Sequence, residues 1–162
     1  MNFMERHKIV HCFDSDIISD YSDYSAGNIT GTAIHMDHYR ECTYIINTGS
    51  GGTGYGQVTI NSCSDSSGTT AADVAFKYRK IQDPDTHGAW TDATSTGFAT
   101  SAESDCIYEI VVYADGLSST NEYQTLTLTE TNGTAVNGAI VAILTDPRYI
   151  DSDPDTAGSD VG

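Results

Sequence analysis

Residues 106–114, Cys-Ile-Tyr-Glu-Ile-Val-Val-Tyr-Ala, decide the fold class of this 162-residue chain. Within them, apolar Tyr108, Ile110 and Val112 alternate with residues of the opposite face, among them Glu109. Because successive side chains of a β-strand point to opposite faces, this period of two predicts a strand with one buried face. The stretch therefore indicates a β-sheet protein rather than a helical one.

The same alternation recurs on both sides of residues 106–114. Its apolar positions are Cys42, Tyr44 and Ile46; Val58 and Ile60; Val74, Phe76 and Tyr78; and Leu126 and Leu128. Polar segments rich in Gly, Ser, Thr and Asn separate these short strands, and no segment has a sustained helical period. We therefore predict an all-β domain over residues 29–150, a single antiparallel β-sandwich or barrel of jelly-roll or immunoglobulin-like type.

Two segments refine this prediction. Residues 49–56 contain five glycines, but a strand rather than a helix follows them, so a hairpin connection is favoured over a phosphate-binding loop. After the Asn132-Gly133 turn signal comes the last strand, residues 138–144, in which Ala139-Ile-Val-Ala-Ile-Leu144 is apolar on both faces. Such a strand is expected to be central in its sheet or covered by another chain.

The two ends of the chain lack a strand pattern. Residues 1–28 combine an apolar patch at Ile9, Val10 and Phe13 with an acidic run, and we predict an extended N-terminal arm that gains order from what it packs against. Residues 151–162 are acidic and almost free of apolar side chains, so a disordered, flexible tail is predicted there.

Composition restricts the classes of partner. There are 23 Asp and Glu against 7 Lys and Arg, giving a formal net charge of −16. Such a surface does not suit contacts with phosphates, so nucleic acid and anionic membranes are not expected as partners. No stretch approaches the roughly 18 consecutive apolar residues of a membrane span. Thr and Ser, with 21 and 16 residues, supply much of the polar fraction, which is typical of sheets and turns.

No catalytic or metal-binding motif is found. The four cysteines form no Cys-x-x-Cys pair and are expected to be free, buried thiols. The histidines lack a third ligand at a diagnostic spacing, and Asp151-x-Asp153-x-Asp155 is not followed by the Gly and Glu of a calcium loop. Trp90 is expected to be a buried core aromatic rather than a sugar-stacking platform. We therefore expect neither an enzyme nor a cofactor.

The order of the strand residues nevertheless resembles a known group of proteins. The resemblance covers roughly residues 30–150 and rests on Thr43-Tyr-Ile-Ile46, Val58-Thr-Ile60, Val74-Ala-Phe-Lys-Tyr-Arg79, Trp90, Ile107-Tyr-Glu-Ile-Val-Val-Tyr-Ala-Asp-Gly-Leu117, Leu126-Thr-Leu128 and Ala142-Ile-Leu-Thr-Asp-Pro-Arg-Tyr149. In the order of these segments along the sequence, the chain is similar to the capsid decoration, or cement, proteins of tailed bacteriophages.

The resemblance implies a structural virion protein that binds the outer surface of an icosahedral capsid and stabilises it by bridging capsomers. Its implied partner is the major capsid protein, and it implies a homotrimer at three-fold and quasi-three-fold positions. Such a protein is made in the host bacterial cytoplasm and ends on the capsid exterior. Two alternatives stay open: another phage structural part, such as a tail-tube, head-completion or fibre-associated β-domain, and a carbohydrate-binding or adhesin domain.

Residues for capsid or subunit contact are predicted in two groups. The first comprises the apolar residues of the arm, Phe3, Ile9, Val10 and Phe13. The second comprises scarce cations and one tyrosine near the end of the chain, Lys77, Arg79, Lys80, Arg148 and Tyr149. Arg and Tyr are enriched at interface hot spots, which favours Arg79, Arg148 and Tyr149 within the second group. Alternatively, Lys77 and Arg79 form a solvated strand face and Arg148 an internal salt bridge.

Overall fold

The computed structural model describes residues 6–12, 29–51, 56–69, 72–84, 86–100, 106–118, 120–130 and 136–148. These residues form antiparallel β-sheets packed as a sandwich, which confirms the predicted fold class. The strands in chain order are β1 (Lys8–Val10), β2 (Ile29–Thr30), β3 (Ile34–His35), β4 (Tyr39–Gly51), β5 (Gly56–Cys63), β6 (Ala72–Val74), β7 (Phe76–Asp83), β8 (Thr86–His87), β9 (Thr91–Ala93), β10 (Phe98–Ala99), β11 (Cys106–Tyr113), β12 (Tyr123–Glu130) and β13 (Val136–Pro147). A short 3-10 turn, Ala114–Gly116, follows β11.

Two sheets make up the sandwich. The first has the order β1-β13-β4-β11-β7-β8, with β9 also paired to β7. The second has the order β10-β5-β12-β2, with β3 paired to β12 and β6 paired to β5. Long strands therefore occupy the middle of each sheet, whereas strands of two or three residues lie at the edges, where they limit edge-to-edge association.

The core lies between the sheets and consists of the alternating residues identified in the sequence. The first sheet contributes Tyr44, Ile46, Ile110 and Leu144, among others, and the second contributes Val58, Ile60, Leu126 and Leu128. Each of these side chains is buried because the period of two points it toward the opposite sheet.

The Gly-rich segment does not connect a hairpin, so that prediction is wrong. β4, which runs to Gly51, belongs to the first sheet, whereas β5, which begins at Gly56, belongs to the second. The chain therefore crosses from one sheet to the other at this point. Local alternation predicts both strands but carries no information on which sheet each one joins.

Part of the predicted arm is a strand of the first sheet. Lys8–Val10 pairs antiparallel with β13, so that Ile9 lies opposite Ile143 and Val10 opposite Ala142. Val10 and Cys12 are buried in the core. Residues 13–28 and the predicted acidic tail, residues 151–162, lie outside the described residues.

The predicted burial of the cysteines is confirmed. Cys12, Cys42, Cys63 and Cys106 are all buried free thiols. Burial raises the pKa of Cys12 to about 11. A thiol with such a pKa is protonated at neutral pH and is a poor nucleophile, so Cys12 acts as a small apolar core residue.

Candidate protein-contact face

The outer face of the first sheet is the surface that points away from the second sheet. Because directly paired residues share a face, the register places Ile9, Ile143, Thr43, Val111 and Lys77 in one row across five strands. The neighbouring row contains Val141, Ile45, Glu109 and Arg79. The sequence brings these residues together only through strand pairing, since they come from five separate segments.

One half of this face, on β1, β13 and β4, carries a group of apolar side chains beside the polar Thr43. We call Ile9, Ile143, Val141 and Ile45 the apolar stripe. Ile9 is 55% exposed and Val141 38%, and these are two of the large hydrophobic residues that the structure leaves open to solvent. Ile143 and Ile45 are half-buried. Two directly opposed pairs, Ile9 with Ile143 and Val141 with Ile45, therefore form one continuous patch.

The other half of the face, on β11, β7 and β9, carries a cluster of charged and aromatic groups. The Arg79 guanidinium donates a hydrogen bond from Nε to Glu109 Oε2 at 2.5 Å, and its Nη2 forms an ion pair with the same oxygen, also at 2.5 Å. The same guanidinium lies 4.6 Å from the centre of the Trp90 ring. An arginine that is held by both a carboxylate and an aromatic ring has little conformational freedom left. The cluster is therefore a pre-formed polar surface.

Trp90 is 44% exposed, and the expectation that it is a core aromatic is therefore wrong. It comes directly before β9, the short strand that pairs with β7, and this pairing brings it beside Arg79. No periodic pattern surrounds Trp90, so nothing in the sequence indicated on which side of the sheet it lies.

Lys77 lies beside this cluster but is held more loosely. Its Nζ is 2.6 Å from Asp92 Oδ1, and both side chains are largely exposed. The hydrogen bond from Lys77 to Asp92 raises the pKa of the lysine. Lys77 and Arg79 are thus each paired with a carboxylate, and each pair has no net charge. The chain as a whole has a net charge of −16.

The remaining predicted contact residues do not join this face. Val10 is buried in the core, and Lys80 lies opposite Tyr108, in register with the inward-facing residues. Arg148 lines a cavity of about 280 Å³ with Met36, Asp37, Ala114, Asp115, Leu117, Ser118, Asn121 and Glu122. Its backbone N–H donates to the His38 carbonyl at 2.8 Å. Phe3, Phe13 and Tyr149 lie outside the described residues.

The structure thus brings together three of the predicted residues, Ile9, Lys77 and Arg79, and adds others that the sequence analysis did not single out. Val141 and Ile143 were indicated by the doubly apolar pattern of the last strand, which lies between β1 and β4 and so has strand neighbours on both sides. Ile45 is apolar, whereas Glu41 and Thr43 on the same face of β4 are polar. This break in the pattern could have indicated an apolar position on the outer face.

Among the described residues, no group of three or more His, Cys, Asp or Glu side chains is placed to hold a metal ion. No helix in that part of the chain is long and apolar enough to cross a membrane. No family model, curated protein or solved structure matches the chain.

Proposed function

We propose that the chain is a structural virion protein that binds the outer surface of a tailed-phage capsid and bridges neighbouring capsomers. The observation that carries the proposal is the apolar stripe on the outer face of the first sheet. An exposed apolar patch bordered by paired charges has the anatomy of a protein interface, with an apolar centre and a polar rim. The major capsid protein is the proposed partner.

The face is small for a protein interface, which favours attachment of many linked copies over attachment of a single one. Six strands about 4.8 Å apart span about 24 Å, and about six residues along a strand span about 20 Å, so the face covers roughly 500 Å². A standard interface buries about 800 Å² on each partner, so one copy bound by this face alone would be held weakly. A shell that repeats the same site many times allows linked copies to bind with avidity, which fits the proposed trimer at three-fold positions.

The charge of the chain supports a position outside the shell. A protein with a net charge of −16 is repelled by packaged DNA and stays soluble before assembly. The paired cations Lys77 and Arg79 limit the charge on the proposed contact face itself. Approach to a partner through this face therefore meets less repulsion than approach through an unpaired acidic surface.

The location of the chain in virions tests the proposal directly. We expect electron cryo-microscopy of the phage that encodes the chain to show β-sandwich density on the outer shell, at three-fold and quasi-three-fold positions. Density in a tail ring, or in no part of the virion, contradicts the proposal.

A face-exchange variant tests the proposed contact surface. Ile9→Thr with Val141→Thr gives the first sheet the chemistry of the second while keeping β-branched side chains at both positions. Losing two apolar contacts should weaken attachment to purified capsids about tenfold or more, measured by co-sedimentation. Thr59→Val, on the outer face of the second sheet, is the matched control and should attach normally.

Point changes are preferable to deleting residues 1–13 as a test. Val10 and Cys12 are core residues and β1 is paired to β13, so the deletion would damage the fold as well as the contact face. If the face-exchange variant retains its thermal transition and still saturates the capsid, the outer face of the first sheet is not the attachment surface.

A further inference from the structure

A second candidate site lies on the opposite side of the sandwich. It is a groove of about 380 Å³ between the Thr30–Ala33 segment and the loop at Ser66–Gly68, with strands β5 and β12 as its floor. Thr125 and Thr127 point away from the first sheet because they alternate with the buried Leu126 and Leu128. The groove therefore faces away from the proposed contact face and stays open when that face is covered.

The lining of the groove is uncharged throughout. Its residues are Thr30, Gly31, Thr32, Ala33, Asn61, Ser66, Ser67, Gly68, Thr125 and Thr127. In a chain with 30 charged residues, six hydroxyls and one amide surround this space without a carboxylate or a cation among them. A phosphate would find no cation here, and the nearby carboxylates of Asp65 and Asp73 already accept hydrogen bonds from the loop N–H groups and from Asn61. An apolar ligand would find only Ala33 to pack against.

The polar groups of the groove retain unused hydrogen-bonding capacity. Thr30 Oγ1 and Thr127 Oγ1 are 3.1 Å apart and share a single hydrogen bond. Asn61 donates from Nδ2 to Asp73 Oδ1 at 2.7 Å, and this bond leaves its carbonyl oxygen as an acceptor. Since each hydroxyl offers one donor and two acceptor positions, several groups converge on the groove with positions to spare.

One wall of the groove is pre-formed by a hydrogen-bonded loop. Asp65 Oδ1 accepts hydrogen bonds from the backbone N–H groups of Ser67 and Thr69, at 2.9 and 3.1 Å. Gly68 has φ +73°, and a Cβ added there would lie 3.9 Å from the Thr125 methyl group, so the loop passes close over the sheet. A wall that is ordered before binding lowers the entropy cost of holding a ligand.

We infer that this groove is a binding site for a neutral, hydroxyl-rich ligand of the saccharide class. Only a ligand that exchanges many uncharged hydrogen bonds matches a lining of hydroxyl and amide groups, and the volume lies within the range of about 300–1,000 Å³ for small-molecule sites. The site is separate from Trp90, on which a sugar-stacking role would depend. The inference does not rest on the virion role, since it concerns the free protein.

Titration of the isotope-labelled full chain with neutral sugars tests this site. Maltose, lactose and N,N′-diacetylchitobiose serve as probes, and an array of neutral glycans extends the panel. We expect at least one probe to produce saturable amide shifts at Gly31, Gly68 and Thr127, seen by two-dimensional nuclear magnetic resonance. Binding needs no capsid, so its outcome is independent of the attachment experiments.

A matched pair of variants locates the site. Thr127→Val removes a groove hydroxyl and should weaken binding about tenfold, which corresponds to about 1.4 kcal/mol, because a hydrogen bond is lost and its partner on the ligand is left unsatisfied. Thr59→Val, directly opposite on β5 and outside the groove, should bind as the unmodified chain does. The inference is overturned if no probe or arrayed glycan binds, if the shifts cluster at Trp90, or if both variants lose binding equally.

Discussion

The two outer faces of the sandwich share one strand geometry but differ in side-chain chemistry. On the first sheet the outward residues include Ile9, Val141 and Ile45, whereas on the second they include Thr59 and Thr127. Thr and Val have similar shapes and both favour strands, so the difference does not come from the needs of the fold. A face covered with hydroxyls suits water or a polar ligand, whereas a face with exposed Ile and Val suits another protein.

The sandwich depends on the connections that join its two sheets, and Gly97 lies in one of these connections. It follows β9 of the first sheet and precedes β10 of the second, with φ +75° and its N–H bonded to the Thr94 carbonyl at 2.9 Å. A Cβ at this position would come within 1.9 Å of the Val58 carbonyl oxygen. The backbone would have to move to accept any side chain.

Gly97→Ala should therefore have the largest effect on stability, a loss of about 3 kcal/mol or more from the clash and the positive φ together. Gly68→Ala shares the positive φ but meets only the Thr125 methyl group, and a loss of about 1 kcal/mol is expected. Gly116→Ala meets nothing within 4 Å and is the control. Urea unfolding of the three variants checks this order, and equal losses at Gly97 and Gly116 would contradict it.

The two cations of the first face, Arg79 and Lys77, should differ in how much they stabilise the fold. Arg79 and Glu109 are each 24% exposed, and the guanidinium also stacks on Trp90, whereas Lys77 and Asp92 are 48% and 80% exposed. Arg79→Ala should lower the free energy of unfolding by about 1–2 kcal/mol. Lys77→Ala, on the same strand and face, should change it by about 0.5 kcal/mol or less.

Thermal unfolding checks this difference, since 1 kcal/mol corresponds to about 2–4 °C for a domain of this size. Arg79→Lys adds a sharper control because lysine keeps the charge but cannot form the planar stack and the fork of hydrogen bonds. If the Arg79→Lys variant is as stable as the unmodified chain, charge alone accounts for the interaction and the stacking on Trp90 contributes nothing measurable.

The sequence was sufficient to predict the buried positions of the longer alternating strands. Tyr44, Ile110 and Leu126 are buried, as the period of two requires, because the direction of a side chain in a strand is a local property. The sheet to which a strand belongs is not local. For this reason the alternation located β4 and β5 correctly, whereas the hairpin expected between them was wrong.

The same distinction explains how much of the candidate site was predicted. Ile9, Lys77 and Arg79 were singled out by their type, but their position on one face depends on β1 pairing with β13 and on β11 pairing with both β4 and β7. Trp90 was misplaced because it lies between short strands in a segment without alternation. Long-range pairing, rather than local pattern, assembles the face.

The smallest expected effect concerns pH, to which the two faces should respond in opposite ranges. On the second sheet, hydrogen bonds from the loop, led by the Thr69 N–H, hold the pKa of Asp65 below its usual value of 3.8. A carboxyl with a depressed pKa in the folded state contributes stability that is present above its ordinary pKa and is lost as pH falls through the lower one. On the first sheet, the raised pKa of Lys77 means that its pairing with Asp92 contributes below 10.5 and is lost as pH rises through the higher value.

Acid should therefore loosen the groove wall through Asp65, whereas strong alkali should weaken the pair that Lys77 forms with Asp92. Amide hydrogen exchange at Ser67 and Thr69 measures the first change, and we expect the protection of these amides, relative to an unprotected amide at the same pH, to fall only below about pH 4, near the ordinary range of a carboxyl. Asp65→Asn keeps an oxygen acceptor without the titrating charge. Exchange at Ser67 and Thr69 in this variant should therefore show no additional loss of protection below about pH 4. An acid-induced step that persists in Asp65→Asn would show that another group holds the loop.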